Sequence, residues 1–170
     1  MNDHAAEQAF GSWEERSATT SQDRPRATSI RSGLHVLLVE DGEVNRMIAI
    51  LFLKHYGHSV GVAHDGLEAL ATFSRERFDL VLMDVEMPRM DGYQATSAIR
   101  EMERIAGGHI PIIAMTAHAS KGDREHCLSV GMDRYVSKPI TAKRLSDAIQ
   151  SVECLSVQHS RGLVSEHPYV

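Results

Sequence analysis

Residues 78–88 read FDLVLMDVEMP, an apolar run that stops on the carboxylate of Asp84. Leu80–Met83 is typical of a buried strand, and an ionised carboxylate is very costly to bury without compensation. We therefore expect Asp84 either in a crevice at the carboxyl end of its strand or beside a cation. Open α/β sheets bind their ligands at that end of the strands, so this stretch predicts both a fold class and a site.

Short apolar runs alternate with stretches of helical spacing on either side of this segment. The predicted strands are His35–Val39, Ser59–Ala63, Phe78–Met83, Ile110–Met115 and Arg134–Val136. The predicted helices are Glu43–Tyr56, Gly66–Arg75, Gly92–Ile105, Ser120–Val130 and Thr141–Val152. In the first helix, the helical spacing is that of Val44, Met47, Ile48, Leu51 and Phe52. Strand–helix units of this length predict a doubly wound α/β sandwich, with helices on both faces of a parallel sheet.

The composition favours one folded domain and gives no sign of a nucleic-acid-binding, membrane or disulfide-rich protein. The chain has 170 residues, a net charge of −5 and 42% apolar residues, which suits one domain with tails. The weak acidity gives no electrostatic reason to expect nucleic acid or a membrane surface as a partner, and no apolar run is long enough to span a bilayer. Cys127 and Cys154 show neither metal-ligand spacing nor a disulfide framework. We expect a cytoplasmic, soluble protein.

Both ends of the chain lack apolar periodicity. Residues 1–33 are rich in polar and charged side chains, and we expect them to form a disordered arm. The folded domain is predicted at 34–153 and a flexible tail at 154–170. Since neither end offers room for a second folded domain, the chain is expected to be a stand-alone domain or one domain of a larger protein.

Polar side chains follow four of the five predicted strands. Glu40 and Asp41 follow the first strand, Asp84 the third, Thr116 the fourth and Lys138 the fifth. Right-handed crossovers bring the carboxyl ends of parallel strands to one edge of the sheet. The sequence therefore predicts three acids, a hydroxyl and a lysine around one site.

These residue types suit phosphoryl transfer to a carboxylate. Mg²⁺ prefers oxygen ligands and needs only one or two carboxylates, which Asp41 and Asp84 can supply with help from Glu40. Asp84 can attack phosphorus to give an acyl phosphate. Lys138 and Thr116 can contact the phosphoryl oxygens.

Four motifs in these positions resemble the receiver domain of two-component response regulators. They are VED at 39–41, LMDVEMPRMDG at 82–92, MTA at 115–117 and SKP at 137–139. The resemblance covers about residues 34–152. Three further features make the sequence most similar to receivers carried by hybrid sensor histidine kinases. They are Asn45, MTAHA at 115–119 and GMDRY at 131–135.

The resemblance implies a flavodoxin-like sheet of strand order 2-1-3-4-5. It implies phosphorylation of Asp84 by a histidine kinase or histidine phosphotransfer protein, with Thr116 and Lys138 on the phosphoryl oxygens. Mg²⁺ would be held by a set of four oxygen donors, namely Glu40, Asp41, Asp84 and the backbone carbonyl of Glu86. A cis peptide is implied between Lys138 and Pro139. Such a protein is a signalling phosphoacceptor rather than a classical enzyme.

The family also implies a switch. Thr116 would shift toward the new phosphoryl oxygens, and Tyr135 would rotate into the vacated space, changing an output face at residues 120–150 that binds another protein. A simple packing role for Tyr135 remains open. His118 is a candidate for the wall of the pocket. Gly42 departs from the family pattern, which often has Asn there.

Two other functions remain open. In a pseudo-receiver, the fold would serve protein binding without phosphorylation, although such domains typically lose an acid or the lysine. A phosphohydrolase of the haloacid dehalogenase type also uses an Asp at the end of a strand. That class needs a second Asp two residues later, where this chain has Glu86.

Overall fold

The computed structural model describes residues 33–117 and 120–161, with side chains described as far as Val152. The strands are β1 (His35–Val39), β2 (Ser59–Ala63), β3 (Leu80–Asp84), β4 (Ile112–Thr116) and β5 (Arg134–Ser137). The helices are α1 (Glu43–His55), α2 (Gly66–Phe73), α3 (Gly92–Ala106), α4 (Lys121–Val130) and α5 (Ala142–Arg161). All neighbouring strands are parallel, in the order β2-β1-β3-β4-β5. The doubly wound fold class and the implied strand order are confirmed.

The central strands are buried on both faces, because successive side chains enter different halves of the core. In β1, Val36 and Leu38 join the cluster that packs against α1 and α5, whereas Leu37 and Val39 join the cluster against α2, α3 and α4. Every residue of β3 and β4 is buried. This explains why these strands are continuous apolar runs in the sequence rather than alternating ones.

Helix α1 lies where its periodicity predicted, but most of the predicted apolar stripe faces away from the core. The exposed fractions are 68% for Val44, 62% for Met47 and 66% for Leu51. The helix instead buries Ala49 and Leu53 against the sheet. Helical periodicity therefore located the helix correctly but did not identify the side that packs.

Some predicted boundaries were wrong by a few residues. Strand β3 begins at Leu80 rather than at Phe78, and it includes Asp84 as its last residue. Phe78 lies before the strand, where its ring stacks on His35 at 4.6 Å between centroids. Helix α5 continues beyond Val152 to Arg161, since the sequence contains no glycine or proline between Ala142 and Gly162. The start of the predicted C-terminal tail is therefore helical.

The remaining parts of the predicted tails lie outside the described residues, and so does most of the predicted N-terminal arm. Gly33, the last residue of that arm, donates its amide to the carbonyl of Gly57 at 3.0 Å, beside the end of α1. Within the described part of the chain, no helix has both the length and the apolar character of a membrane span.

Candidate functional site

The carboxyl ends of β1, β3 and β5 bring two acids and a lysine into direct contact. Strand β3 ends on Asp84, and β1 is followed at once by Glu40. Both carboxylates are buried, with exposed fractions of 2% and 1%. The ammonium of Lys138 lies 2.6 Å from Oδ2 of Asp84 and 2.9 Å from Oε2 of Glu40. One cation is therefore shared by two buried acids.

Strand pairing explains how Lys138 reaches this point. Thr116 pairs with Ser137 in the β4–β5 register, and the amide of Lys138 donates to the carbonyl of Thr116 at 2.7 Å. The following peptide bond, between Lys138 and Pro139, is cis, the isomer that the resemblance implied. The lysine is thus tied to the end of β4 by the backbone, and its side chain extends across the end of the sheet to Asp84.

Burial dominates the electrostatics of Asp84. Loss of solvent raises the pKa of its carboxyl to about 6, an effect that the hydrogen bond from Lys138 opposes and the charge of Glu40 increases. Burial alone would lower the pKa of Lys138, but its hydrogen bonds to Asp84 and Glu40 outweigh burial, so the pKa is raised. The lysine therefore stays charged, while the site as a whole remains rich in acid.

Asp41 adds a third, exposed carboxylate to the pair. Oxygen atoms of Glu40, Asp41 and Asp84 lie within 4.8 Å of one another. An all-oxygen set with a surplus of negative charge fits a hard divalent cation such as Mg²⁺, which also keeps part of its own water shell. The three side chains that the resemblance implied as metal ligands are thus brought together.

The loop between β1 and α1 is held by residues that follow it on the helix. The guanidinium of Arg46 donates to the carbonyls of Glu40 and Asp41, both at 3.2 Å. Asn45 donates to Oε1 of Glu40 at 3.1 Å. The amide of Gly42 contacts the same oxygen at 3.3 Å, and a Cβ at Gly42 would lie 2.9 Å from it. Glycine at this position therefore leaves room for the Glu40 carboxylate.

The loop after β3 closes over the other side of Asp84. The amide of Glu86 donates to Oδ1 of Asp84 at 3.2 Å, and the amide of Gly92 donates to the carbonyl of Val85 at 3.0 Å. A Cβ on Gly92 would lie only 2.1 Å from the carbonyl oxygen of Asp84. Only glycine therefore allows the first turn of α3 to approach the end of β3 this closely.

An open cleft of about 560 Å³ lies beside these groups. Its walls include Asp41, Glu86, Thr116 and Tyr93. Thr116 is buried, with an exposed fraction of 4%, and it occupies the last position of β4. The cleft is open to solvent on the side where Asp41, Glu86 and Thr116 flank Asp84.

The roles predicted for two further residues remain predictions. His118 lies outside the described residues. Tyr135 is half-buried on β5, and the guanidinium carbon of Arg124 on α4 lies 4.6 Å from the centre of its ring. That contact is consistent with the packing role that sequence reasoning left open, and the switch role of Tyr135 stays a prediction.

Two basic residues near the site were missed. Arg46, described above, holds the acidic loop, and Arg89 pairs with the buried carboxylate of Asp65 beside the β3–α3 loop. Arg46 had a detectable signal, since a cation one turn into a helix can reach back to the carbonyls of the preceding loop. The pairing of Arg89 with Asp65 had none, because it depends on the tertiary arrangement of two loops.

The comparisons with known proteins agree with this geometry. The profile of the response regulator receiver domain matches residues 36–150. Among curated relatives, hybrid signal transduction histidine kinase I of Dictyostelium discoideum is 42% identical over 131 residues. The match covers 74% of this chain but only 8% of that kinase, so the chain corresponds to a small part of such proteins.

Solved structures give the same result. The receiver domain of the sensor histidine kinase PA1611 from Pseudomonas aeruginosa, solved with a magnesium ion in its active-site cleft, is 41% identical with a TM-score of 0.64; the match covers 71% of this chain and 97% of that one. The receiver domain of Saccharomyces cerevisiae Ssk1, solved with the histidine phosphotransfer protein Ypd1, is 29% identical with a TM-score of 0.69, over 74% and 92% of the two chains. The protein described here belongs to the response regulator receiver domain family of two-component signalling.

Proposed function

We propose that this receiver domain accepts a phosphoryl group on Asp84 from a phosphohistidine. The observation that carries the proposal is the shared contact of Lys138 with Asp84 and Glu40, beside Asp41 and next to a cleft that Asp41 and Thr116 line. A receiver domain is a signalling phosphoacceptor rather than a classical enzyme. The chain would catalyse only its own phosphorylation and dephosphorylation.

In the proposed reaction, a carboxylate oxygen of Asp84 forms a bond to phosphorus while the bond from phosphorus to the donor's imidazole nitrogen breaks. The imidazole leaves with the electron pair of that bond. Lys138 remains protonated and offsets negative charge on the phosphoryl oxygens, and the hydroxyl of Thr116 donates a hydrogen bond to one of them. Catalysis of this kind consists mainly of positioning and charge neutralisation.

We further propose that Mg²⁺ is the cofactor, held by Glu40, Asp41, Asp84 and the backbone carbonyl of Glu86. The oxygen donor set and its excess negative charge support this choice. When bound, the ion would neutralise charge on the carboxylates and on the phosphoryl group. The residues of the chain orient Asp84 and offset charge on the phosphoryl oxygens.

We propose that the donor is a histidine kinase or a histidine phosphotransfer protein, and that it docks on the exposed face of α1. This face consists of Val44, Met47, Ile48 and Leu51, which are 39–68% exposed. Helix α1 starts at Glu43, two residues after Asp41, which lines the cleft, so the apolar face begins close to the cleft. An apolar surface next to the acceptor suits a protein that must hold a phosphohistidine over Asp84.

The output surface is proposed at residues 120–150, comprising α4, β5 and the start of α5. Helix α4 buries only Cys127 among its residues, so its attachment to the core is small and can change with little loss of packing. The contact of Arg124 with Tyr135 joins α4 to β5. A shift of Thr116 on phosphorylation would then be passed to Tyr135 and to the surface that binds the output protein.

The alternative is a pseudo-receiver that binds proteins without being phosphorylated. Its only support in the sequence was Gly42. In the structure, a side chain at this position would crowd the carboxylate of Glu40, so glycine is compatible with an intact acidic site and does not favour the alternative. We also propose a cytoplasmic location, which suits the buried free thiol of Cys127.

The first experiment is to incubate the protein with Mg²⁺ and acetyl phosphate and to measure its intact mass. We expect one added phosphoryl group in the native protein, and none without Mg²⁺ or in Asp84→Asn. The matched control is Asp79→Asn, which replaces an acid at the opposite end of β3. Absence of any adduct in a folded native protein would contradict the proposal and favour the pseudo-receiver.

A second experiment tests the docking face. Replacing Met47 and Leu51 by Ser should slow phosphorylation by a phosphohistidine donor protein, because the apolar contact is lost. Phosphorylation by acetyl phosphate should be unchanged, because the cleft is not altered. The control is Ile105→Ser, which changes an apolar residue that is 75% exposed on α3. Equal slowing with both donors would contradict a docking role for α1.

A further inference from the structure

The β3–α3 loop, residues 85–91, lies between two elements that fix its ends. At its start, the amide of Val85 donates to the carbonyl of Met115 on β4 at 3.0 Å. At its end, Asp91 caps α3, accepting a hydrogen bond from the amide of Gln94 at 2.8 Å. The loop carries Glu86, so its shape decides where the Glu86 backbone lies relative to Asp84.

The middle of this loop is tied to the start of α2. The guanidinium of Arg89 forms an ion pair with Oδ2 of Asp65. The amide of Gly66 donates to the carbonyl of Met90 at 3.2 Å. A Cβ on Gly66 would lie 2.8 Å from that carbonyl oxygen, so the two backbones approach each other as closely as glycine allows.

Asp65 is an unusual partner because its side chain is fully buried. Its Oδ1 accepts a hydrogen bond from the amide of Glu68 at 2.9 Å, which caps α2. A carboxylate at this depth requires a compensating cation. Arg89 supplies that charge from the surface, since its own side chain is 65% exposed. The cap on α2 and the shape of the β3–α3 loop are therefore linked through one carboxylate.

The backbone of Arg89 supports the same conclusion. Its φ is +66°, and within residues 33–117 and 120–161 it is the only residue other than glycine with a positive φ. Asn and Gly adopt this conformation far more readily than Arg. Strained backbone of this kind persists where the surrounding contacts require it. The ion pair with Asp65 explains why an arginine occupies this position despite its positive φ.

We propose that Arg89 and Asp65 are positioning residues for the phosphorylation site. By fixing the β3–α3 loop against α2, they hold the backbone of Glu86 where it can contribute an oxygen ligand to Mg²⁺. The inference rests on the proposed function, since it assigns a role in metal binding at that same site. Neither residue touches Asp84 in the structure.

The test is Mg²⁺ binding to the full chain, measured by titration calorimetry. Arg89→Asn removes the cation but keeps a residue that accepts a positive φ. Asp65→Asn removes the charge but keeps an acceptor for the cap on α2. Loss of residues that orient metal ligands typically weakens metal binding about 10-fold or more, and we expect a loss of about that size in each variant. The double variant should lose no more than the single ones, because the two residues act through one contact.

Two further variants separate positioning from general stability. Arg89→Lys keeps the charge, and we expect it to restore part of the Mg²⁺ affinity. Arg104→Ala removes an exposed arginine on α3 that pairs with Glu101 and should leave Mg²⁺ affinity unchanged. A purely structural pair would lower the melting temperature of Arg89→Asn without changing its affinity for Mg²⁺.

The outcomes distinguish this inference from the function on which it rests. Tight Mg²⁺ binding by the native protein with unchanged affinity in Arg89→Asn would overturn the positioning role alone. No Mg²⁺ binding by the native protein would overturn the proposed metal site and, with it, the positioning role. If Arg89→Asn fails to fold, the affinity of Asp65→Asn decides: a loss of about 10-fold supports the role, and a native value contradicts it.

Discussion

Two clusters of largely buried charge, at opposite ends of the sheet, have similar charge arrangements but different chemistry. Each places one cation between two carboxylates. The site cluster, at the carboxyl ends of the strands, consists of Lys138, Glu40 and Asp84. The arginine cluster, at the amino ends of β4 and β5, consists of Arg100, Glu103 and Asp133.

In the arginine cluster, the hydrogen-bonding groups are matched. Arg100 contacts Glu103 at 2.6 Å and Asp133 at 2.8 Å, and it also donates to the carbonyls of Gly131 and Ile110, both at 2.9 Å. Each carboxylate accepts a further hydrogen bond from a backbone amide. Such a network joins α3 to the loops before β4 and β5, and although it holds one more acid than cation, its carboxylates are satisfied by hydrogen bonds.

In the site cluster, the surplus of acid is larger. Asp41 adds a third acid within reach of the first two, while Lys138 is the cation in contact with Glu40 and Asp84. Burial raises the pKa of Asp84 to about 6. The comparison shows that burial of charge does not by itself indicate function. A third acid within reach of the first two, open to a cleft, is what indicates a site for a cation.

Among these variants, we expect the largest change in the free energy of unfolding when the arginine cluster is disrupted. Replacing Arg100 by Ala leaves two largely buried carboxylates without their cation, and we expect the free energy of unfolding to fall by about 3–5 kcal/mol. Urea denaturation measures this change. Mg²⁺ affinity of the folded variant should be native, because the cluster lies at the other end of the sheet. A loss below about 1 kcal/mol would mean that the network is far less important than its hydrogen bonds suggest.

In the site cluster, by contrast, we expect removal of a charge to stabilise the folded protein. Without Mg²⁺ at pH 7, Asp84→Asn should raise the free energy of unfolding by about 1–3 kcal/mol. The reason is that the pKa of Asp84 is raised from 3.8 to about 6 on folding, so its ionised form destabilises the folded state. Urea denaturation at two pH values measures the difference between variant and native protein.

The pH dependence of stability provides a control for the predicted gain in Asp84→Asn. Between the unfolded pKa of 3.8 and the folded value of about 6, the folded state binds the proton more tightly, so the contribution of Asp84 to stability improves as the pH falls. The advantage of Asp84→Asn should therefore be full above about pH 6 and largely lost near pH 4. An equal advantage at both pH values would show that the ionised carboxylate is not its cause.

Mg²⁺ affinity should respond to pH in the opposite direction. A metal ligand must be deprotonated, so binding should weaken as the pH falls through about 6, the pKa of Asp84. The limiting slope is about 10-fold per pH unit for one proton. Calorimetric titrations at pH 7.5 and at about pH 5 test this directly. Native affinity down to about pH 4.5 would mean that Asp84 titrates like an ordinary exposed carboxyl.

Much of the site cluster was predictable from the sequence, because it depends on where strands end. Glu40, Asp84 and Lys138 each follow or end an apolar run, and the parallel topology then brings them together. The arginine cluster was not predicted. Arg100 lies in the middle of a helix, and nothing in the local pattern shows that it reaches loops far along the chain.

For a related reason, the sequence could not show which side of α1 packs against the sheet. Periodicity shows that Val44, Met47 and Leu51 lie on one side of a helix, but not whether that side meets the sheet or solvent. Ala49 and Leu53 fill the space against the sheet, and small or single apolar residues give a weak signal. The exposed side of α1 can be recognised only once the structure shows that Ala49 and Leu53 fill the space against the sheet.

The smallest effect is expected from an ion pair that has good geometry but no burial. On α3, the guanidinium of Arg104 contacts both carboxylate oxygens of Glu101, at 2.6 and 2.8 Å, yet the two side chains are 71% and 56% exposed. Solvent screens such a pair and ordering the side chains offsets the attraction. Arg104→Ala should therefore leave the urea midpoint unchanged within error. A loss comparable to that of Arg100→Ala would show that close contact, rather than burial of the charges, determines the stability of ion pairs in this protein.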